Sequence, residues 1–304
     1  MDLSIVIVNW NTKERIKQCL ASIYAYAPSC EFEILVVDNA SRDGSPEMVQ
    51  ENFPSVRLIA NRTNTGFARA NNQAIRQSKG RYVLLLNPDT RVKPGAFDHL
   101  IRYLDMTTDA GAAGGRILNP DGSLQVSCYP RPTLFREFWR MFHLDVIKPI
   151  AAYPMDWWYQ DKPRRVDVLL GACLITRKEV IENVGMMDED YFVYSEEVDL
   201  CYRIQKAGWN LYWVPGAEII HFGAQSTRQV AEEMFLRLYQ GKVLYFRKHR
   251  SRIVVWVYKT ILLSATVGRL MISPFAYLEK SPKRDDLLTL ASYYRRLLFS
   301  LSEF

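Results

Sequence analysis

The stretch RYVLLLNPDT, Arg81 to Thr90, sets the reading of the whole chain. An unbroken apolar run, Tyr82 to Leu86, stops abruptly at Asn87, Pro88 and Asp89. Such a run suits a strand covered on both faces, because an alternating pattern would be needed if one face met water. Three earlier runs look alike: LSIVIVNW (3–10), FEILVVDN (32–39) and VRLIAN (56–61). Between them lie helical patterns. Ile16, Cys19, Leu20 and Ile23 form one stripe behind Thr12, a candidate N-cap. A second helix is expected over 67–77 and a third over 95–106, behind Pro94. Strand alternating with helix predicts an α/β fold, with a mostly parallel sheet and helices on both faces.

Each early strand ends in polar residues: Asn9 and Asn11, Asp38 and Asn39, Asn61 and Arg62, Asn87 and Asp89. Ligands of open α/β sheets bind beyond the carboxyl ends of the strands, so these residues outline a site. The first strand carries no GxGxxG and the chain no GxxxxGK[ST], which disfavours a dinucleotide fold and excludes a P-loop. N-P-D alone is more often a turn, yet Asn87 and Asp89, two apart, can face one way and hold a hard cation. His221 ends the apolar strand AEIIHF (217–222) just before Gly223. It reads either as a hydrogen-bonded core residue or as a ligand to a metal completed by phosphates and water. The run NTGFARANN offers Asn64, Gly66, Arg69 and Asn72 on a polar first turn suited to an anion or a base edge.

Six carboxylates crowd into MDEDYFVYSEEVD, among aromatic residues. If a helix begins near Ser195, Glu197, Leu200, Cys201 and Ile204 share its inward face. Glu197 then sits at the helix entrance, aimed where the strand ends converge, with Glu196 beside the stripe. Asp199 and Arg203 make an i,i+4 pair on the flank, and Gly208 stops the helix. A first-turn acid can also merely complement the helix dipole.

The 304 residues carry a net charge of +6, but from Lys242 onward 12 basic side chains face 4 acidic ones. The basic character belongs to the tail, so a body-wide nucleic-acid surface is not implied. Five cysteines without a CxxC pair favour reduced thiols. The opening MDLSIVIVNW has no basic n-region, so no signal peptide is expected. Residues 126–166 hold nine aromatics and five prolines. That composition fits a packed irregular subdomain, or an acceptor-binding or membrane-facing insertion. VDVLLGACLIT (166–176) reads as one core strand. The apolar run 252–278 is interrupted by Lys259 and Arg269 and is expected to fail as a clean span. With basic flanks it suits a helix lying in the membrane interface; a helical pair packing on the body or on a second subunit is the alternative. The domain division expected is 1–240 for the α/β body, with 126–166 as its insertion, and 241–304 for a helical extension.

Together, IVIVNWN, VVDNASRDGS, NTGFARANNQAI, YVLLLNPDT, GACLITRKEV, GMMDEDYFVYSEEVDLCYRIQKAGW and HFGAQS resemble family 2 glycosyltransferases of the GT-A fold, in their rhamnosyltransferase-like branch. The resemblance covers about residues 3 to 227. It implies inverting transfer of a sugar from a nucleotide-diphosphate donor, dTDP- or UDP-linked, to a hydroxyl. It implies Asp38 as reader of the base, and Asn9, Asn39, Asn64, Gly66, Arg69, Asn72 and Asn87 around the donor. Asp89 and His221 become ligands to Mg²⁺ or Mn²⁺, the D-x-D motif having lost its first acid to Asn87. Glu197 becomes the general base, a Glu for the usual Asp, beside Glu196. A lipid-linked or polysaccharide acceptor, dTDP-rhamnose as donor, no nucleic acid, and a peripheral place on the inner face of a bacterial cytoplasmic membrane follow as expectations, with a homodimer allowed. A soluble transferase with a protein or small-molecule acceptor, and a sugar-nucleotide scaffold without turnover, are the competing readings.

Overall fold

The computed structural model describes residues 1–223, 225–278 and 283–304. It divides into two compact units, one of residues 1–131 and 153–229, the other of residues 132–152 and 230–304. The aromatic stretch 126–166 is therefore shared between them.

The first unit opens with β1 (Leu3–Asn9), α1 (Lys13–Ala25), β2 (Phe32–Asp38), α2 (Ser45–Asn52), β3 (Arg57–Ala60), α3 (Phe67–Ile75) and β4 (Tyr82–Leu86). It continues with β5 (Thr90–Val92), α4 (Ala96–Met106), β6 (Ala110–Leu118) and β7 (Cys128–Tyr129). The second unit begins with α5 (Leu134–Met141). The first unit resumes with β8 (Arg164–Val166), β9 (Val168–Leu169), β10 (Cys173–Arg177), α6 (Lys178–Asn183), α7 (Glu196–Lys206) and β11 (Asn210–His221). The main sheet runs β3-β2-β1-β4-β10-β6-β11-β5, with β8 also on β11. The first four strands pair in parallel, as expected of strand–helix alternation. Beyond β4 the sheet is mixed: β10 is antiparallel to both its neighbours, β11 is parallel to β6 and antiparallel to β5 and β8.

Side chains divide by strand parity between two cores. Leu3, Ile5 and Ile7 of β1 and Tyr82, Leu84 and Leu86 of β4 join α1, α2 and α4 on one face. Val6, Val8, Val83 and Leu85 join α3, α6 and α7 on the other. The stripe Ile16, Cys19, Leu20 and Ile23 is buried as its spacing predicted. Thr12 stands at the N-cap but caps nothing; its hydroxyl donates to Asn9 Oδ1 (2.6 Å), and Asp43 Oδ2 accepts the Lys13 N–H instead (2.8 Å).

Three expectations change. The segment 166–176 is not one strand. It leaves the main sheet after β8, pairs β9 with β7, and returns only as β10, so that Leu170–Ala172 become a connection. Conversely, AEIIHF is not a strand of its own: Asn210–His221 form one strand, β11, whose register with β6 shifts between Val214 and Glu218, around Pro215 and Gly216. Strand β6, AGAAGGRIL, was not anticipated. Its small residues are a packing requirement: a Cβ at Gly115 would lie 2.5 Å from the Ala217 carbonyl oxygen, and one at Gly111 2.6 Å from Trp209 Cβ.

The second unit combines α5 with α8 (Ala231–His249), α9 (Arg252–Ile272) and α10 (Lys283–Ser300). Inside it Glu137 is fully buried, bound to Lys242 Nζ (2.7 Å) and Arg140 Nη1 (3.3 Å). A buried carboxylate with two cationic partners keeps its charge, and those partners hold its carboxyl below the usual range against burial. Along α9, Tyr258, Leu262, Ala265 and Thr266 are buried, while Ile253, Trp256, Val257, Leu263, Val267 and Met271 are exposed. These exposed positions share one helix face, so the apolar stripe points outward. By length and composition alone Arg252–Ala276 is long and apolar enough to cross a membrane, despite Lys259 and Arg269.

Candidate active site

The strand ends converge as the polar pattern required. Asn9 is fully buried, and its amide donates to Asp38 Oδ2 (2.9 Å) and Ser41 Oγ (3.2 Å). The other oxygen of Asp38 accepts the Ser41 N–H (2.8 Å). The carboxylate is thus fixed at the end of β2 with its orientation set from β1. Asn39 spends its polar groups on the protein. It donates to Asn64 Oδ1 (2.8 Å) and the Gly66 carbonyl (3.2 Å), and accepts from Asn61 Nδ2 (3.1 Å) and Thr65 N (3.0 Å). Asn64 Oδ1 also takes the Gly66 N–H (3.0 Å).

Helix α3 holds the acidic segment. Asn72 bonds both ways with the Met187 backbone (2.8 and 3.0 Å) and donates to Glu189 Oε1 (3.0 Å). Arg69 and Arg76 pair with Glu189 (3.1 and 2.7 Å). Gly66, at φ +87°, lies so close to Phe192 that a Cβ would be 2.7 Å from its carbonyl oxygen. The same oxygen accepts the Phe67 N–H (2.6 Å). Arg69 and Asn72, expected around the donor, therefore spend these groups on the acidic segment instead.

That segment enters α7 through two successive residues with left-handed backbone, Tyr194 (φ +69°) and Ser195 (φ +70°). Non-glycine residues avoid this region at a cost of about 1–2 kcal/mol each, so the entrance is strained. Leu200, Cys201 and Ile204 are fully buried, as helical phase predicted. Glu197 is half-buried, and one of its carboxylate oxygens, Oε2, is sealed from solvent without a hydrogen-bond partner. Glu196 is buried too, also with an unpartnered Oε2. Burial raises both carboxyls, and the Glu197 charge raises Glu196 further. Backbone N–H groups of Ser195, Glu197 and Val198 favour the charged form of Glu197. Both carboxyls are thus raised, Glu196 well above the usual range.

Glu197 lies beside the connection Leu170–Ala172, whose Ala172 bonds the end of β4. A Cβ on Gly171 would sit 3.6 Å from Glu197 Cβ, and Ala172 O accepts the Asn87 N–H (3.1 Å). The break in segment 166–176 is what brings this connection there.

Beyond β4, Asp89 Oδ1 and His221 Nε2 lie 3.2 Å apart, both groups nearly buried. Asn87 Nδ2 is 3.5 Å from the same imidazole nitrogen. Gln125 Oε1 sits 2.7 Å from the other, Nδ1. Among the described residues no three His, Cys, Asp or Glu side chains gather as a ready-made metal site. One carboxylate and one imidazole fit a divalent cation that takes its remaining ligands from phosphates and water; the Asn87 amide turns its nitrogen, a donor, toward this pair. Sequence reasoning missed Gln125 and Ser41. The turn Asn119-Pro120-Asp121-Gly122, which precedes Gln125, was the available signal. Burial pushes the thiols of Cys19, Cys173 and Cys201 up to about 12, so none of these three is a nucleophile near neutrality.

The family models described as Glycosyl transferase family 2 and Glycosyl transferase family group 2 match residues 4–151 and 82–299. The chain belongs to the family 2 glycosyltransferases. It is 33% identical over 244 residues to an N-acetylglucosaminyl-diphospho-decaprenol L-rhamnosyltransferase of Mycobacterium tuberculosis, covering 74% of this chain and 77% of the relative. It is 26% identical over 238 residues to the rhamnosyltransferase WbbL of Escherichia coli, covering 76% and 87%. Among solved structures, the mannosyltransferase PcManGT of Pyrobaculum calidifontis, in complex with GDP-Man and Mn²⁺, shares the fold (TM-score 0.58, 19% identity, 99% of this chain and 84% of that one). As a family 2 glycosyltransferase with the GT-A architecture, the enzyme carries its polar strand ends, Asp89, His221 and the α7 entrance on one connected framework.

Proposed function

We propose that this glycosyltransferase moves rhamnose from dTDP-rhamnose, with inversion, onto a hydroxyl of a lipid-linked glycan in bacterial surface polysaccharide synthesis. The observation that carries the reading is that the raised carboxyl of Glu197 lies beside Gly171, next in the chain to Ala172, which bonds Asn87 at the strand end bearing Asp89. Asp38, steered by Asn9, reads the pyrimidine base. Asn39 and Asn72 act indirectly, by holding the loops that carry Asn64, Gly66 and the acidic segment. Asp89 and His221, with Asn87 beside them, would hold Mg²⁺ or Mn²⁺, whose charge would offset that of the departing diphosphate. Glu197 takes the proton of the acceptor hydroxyl as its oxygen bonds to C1 and the bond from C1 to the diphosphate oxygen breaks on the opposite face. Rhamnose and the lipid-linked acceptor are supported by the names of the relatives in M. tuberculosis and E. coli.

A peripheral position on the cytoplasmic membrane face is supported by the outward apolar stripe of α9. Between Lys242 and Leu278 the chain has seven Lys or Arg and no acid, which suits an anionic lipid surface.

With a panel of nucleotide sugars, dTDP-rhamnose should raise the melting temperature most. At a hundred times Kd, donor binding stabilises by about 2.7 kcal/mol. Glu197→Gln should abolish transfer while donor binding persists; transfer at the wild-type rate would remove Glu197 as the base. Asp89→Ala should weaken Mn²⁺-dependent nucleotide binding in calorimetry. Flotation of the full chain with anionic vesicles should be lost on Trp256→Glu with Val267→Glu; unchanged flotation would refute the membrane surface.

A further inference from the structure

Gln125 is not among the residues expected from the sequence, yet it is the hydrogen-bond partner of His221 Nδ1. The order of donors and acceptors leading to it can be traced from one end. Asp121 is exposed, and the Ser123 hydroxyl and N–H hold its carboxyl below the usual range, so it accepts only. Ser123 must therefore donate its hydroxyl proton to Asp121 Oδ1 (2.6 Å). Its oxygen then accepts from Asn119 Nδ2 (2.9 Å). That leaves Asn119 Oδ1 to accept from Gln125 Nε2 (2.8 Å). The amide of Gln125 is thereby fixed with Oε1 toward the imidazole at 2.7 Å. An amide oxygen can only accept, so Nδ1 must carry the ring proton. In the neutral ring Nε2 is then left with its lone pair facing Asp89 Oδ1 at 3.2 Å, with only the long Asn87 Nδ2 contact (3.5 Å) as a donor. Two acceptors that close repel unless a cation stands between them.

We propose that the turn from Asn119 to Gln125 sets the tautomer of His221, and that Gln125 is a positioning residue that keeps Nε2 free to ligate a divalent cation with Asp89. The proposal rests on the metal-assisted reading above but is read out separately from it. The backbone supports the arrangement. Gly122, at φ +86°, closes the turn, Gln125 N–H bonds Ile117 O (2.8 Å), and Asn119 N–H bonds Ser123 O (2.8 Å). The loop is thus anchored on β6, next to β11, which carries His221. Had the ring taken the other tautomer, Nε2–H would donate to Asp89, and the pair would be a closed hydrogen bond with no ligand to offer.

The test uses the full-length, metal-free protein at a pH where the imidazole is neutral. Long-range ¹H–¹⁵N NMR of the histidine rings reports which nitrogen is protonated, with His221→Gln identifying the resonances. The wild type should show Nδ1–H. Gln125→Leu should move His221 toward Nε2–H, and Gln125→Glu, which still accepts at Nδ1, should restore Nδ1–H. Mn²⁺ binding, followed by electron paramagnetic resonance with a nucleoside diphosphate present, should weaken about 10–100-fold in Gln125→Leu, the usual scale for an outer-shell partner of a metal-bound histidine. Ser123→Ala, in the exposed turn, removes the anchor of the relay and should shift the tautomer if Gln125→Leu fails to fold. A wild-type Nε2–H resonance, or a Gln125→Leu ring unchanged from wild type, overturns the proposal. A shifted tautomer with unchanged Mn²⁺ affinity overturns its link to the cation. A wild type that binds no Mn²⁺ refutes the metal reading itself, leaving the tautomer to be judged by the spectrum.

Discussion

Replacing Arg203 with Met should cost far more than its position on the helix implies. As an i,i+4 pair on an exposed helix, Asp199 and Arg203 would contribute about 0.3–0.5 kcal/mol. In the folded protein the Asp199 side chain is 1% exposed and Arg203 19%, with Nε and Oδ2 at 2.6 Å. The remaining guanidinium nitrogens donate to the carbonyls of Val184 and Met186. Removing one partner of a buried ion pair costs about 3–5 kcal/mol, because the remaining charge keeps too little compensation for its burial. For a unit of this size each kcal/mol lowers the melting temperature by roughly 2–4 °C, so a fall of roughly 10 °C is expected. Urea denaturation followed by circular dichroism measures the change directly. Arg203→Met combined with Asp199→Leu removes both charges and should recover a large part of the loss. A single-variant loss below about 1 kcal/mol would refute the reasoning, because a cost that small belongs to solvated pairs. A double variant worse than Arg203→Met alone would equally show that the isolated carboxylate is not the source.

The raised carboxyls at the α7 entrance predict the pH response. With Glu197 as the proposed base, transfer needs it ionised, so the acid limb of kcat should lie above the usual Glu value of 4.5; a limb at or below 4.5 would refute the burial argument. For Glu196 the sign runs the other way for stability. A raised carboxyl favours the fold while protonated, and that contribution is lost as pH rises through the folded value. Glu196→Gln, which cannot ionise, should therefore gain in melting temperature over wild type as pH increases, and a constant difference across pH would exclude a proton on Glu196. Gly66→Ala places a methyl 2.7 Å from the Phe192 carbonyl at φ +87°, and should cost about 1–3 kcal/mol with a marked fall in kcat; an unaffected kcat would show that the Gly66–Phe192 contact does not hold the acidic segment in place.

What was legible in the sequence is what local periodicity encodes. The apolar runs of β1, β2 and β4 needed covering on both faces, and alternate side chains do fill two separate cores. Helical phase placed Leu200, Cys201 and Ile204 inward from spacing alone, and the i,i+4 rule paired Asp199 with Arg203. The polar residue at each strand end is likewise a one-dimensional signal, because backbone direction carries it to the same edge of a parallel sheet.

Tertiary structure decided the rest. Nothing in AGAAGGRIL marks a central strand, since Gly and Ala have low strand preference; the strand exists because Trp209, Leu169 and Ala217 press against it. Spacing could not say that Thr12 would bond Asn9, or that Asn72 and Arg69 would engage Met187 and Glu189 across 115 and 120 positions. Nor could it show that Glu196 is more enclosed than its neighbour, because enclosure depends on chain arriving from elsewhere. The pairing of Gln125 with His221, 96 positions apart, is of the same kind. Sequence alone determined which residues lie on which face of each element, because φ/ψ periodicity is local. Which of those residues meet, and hence how far each carboxyl is raised and which groups face His221, was settled only when distant segments closed around them and excluded water.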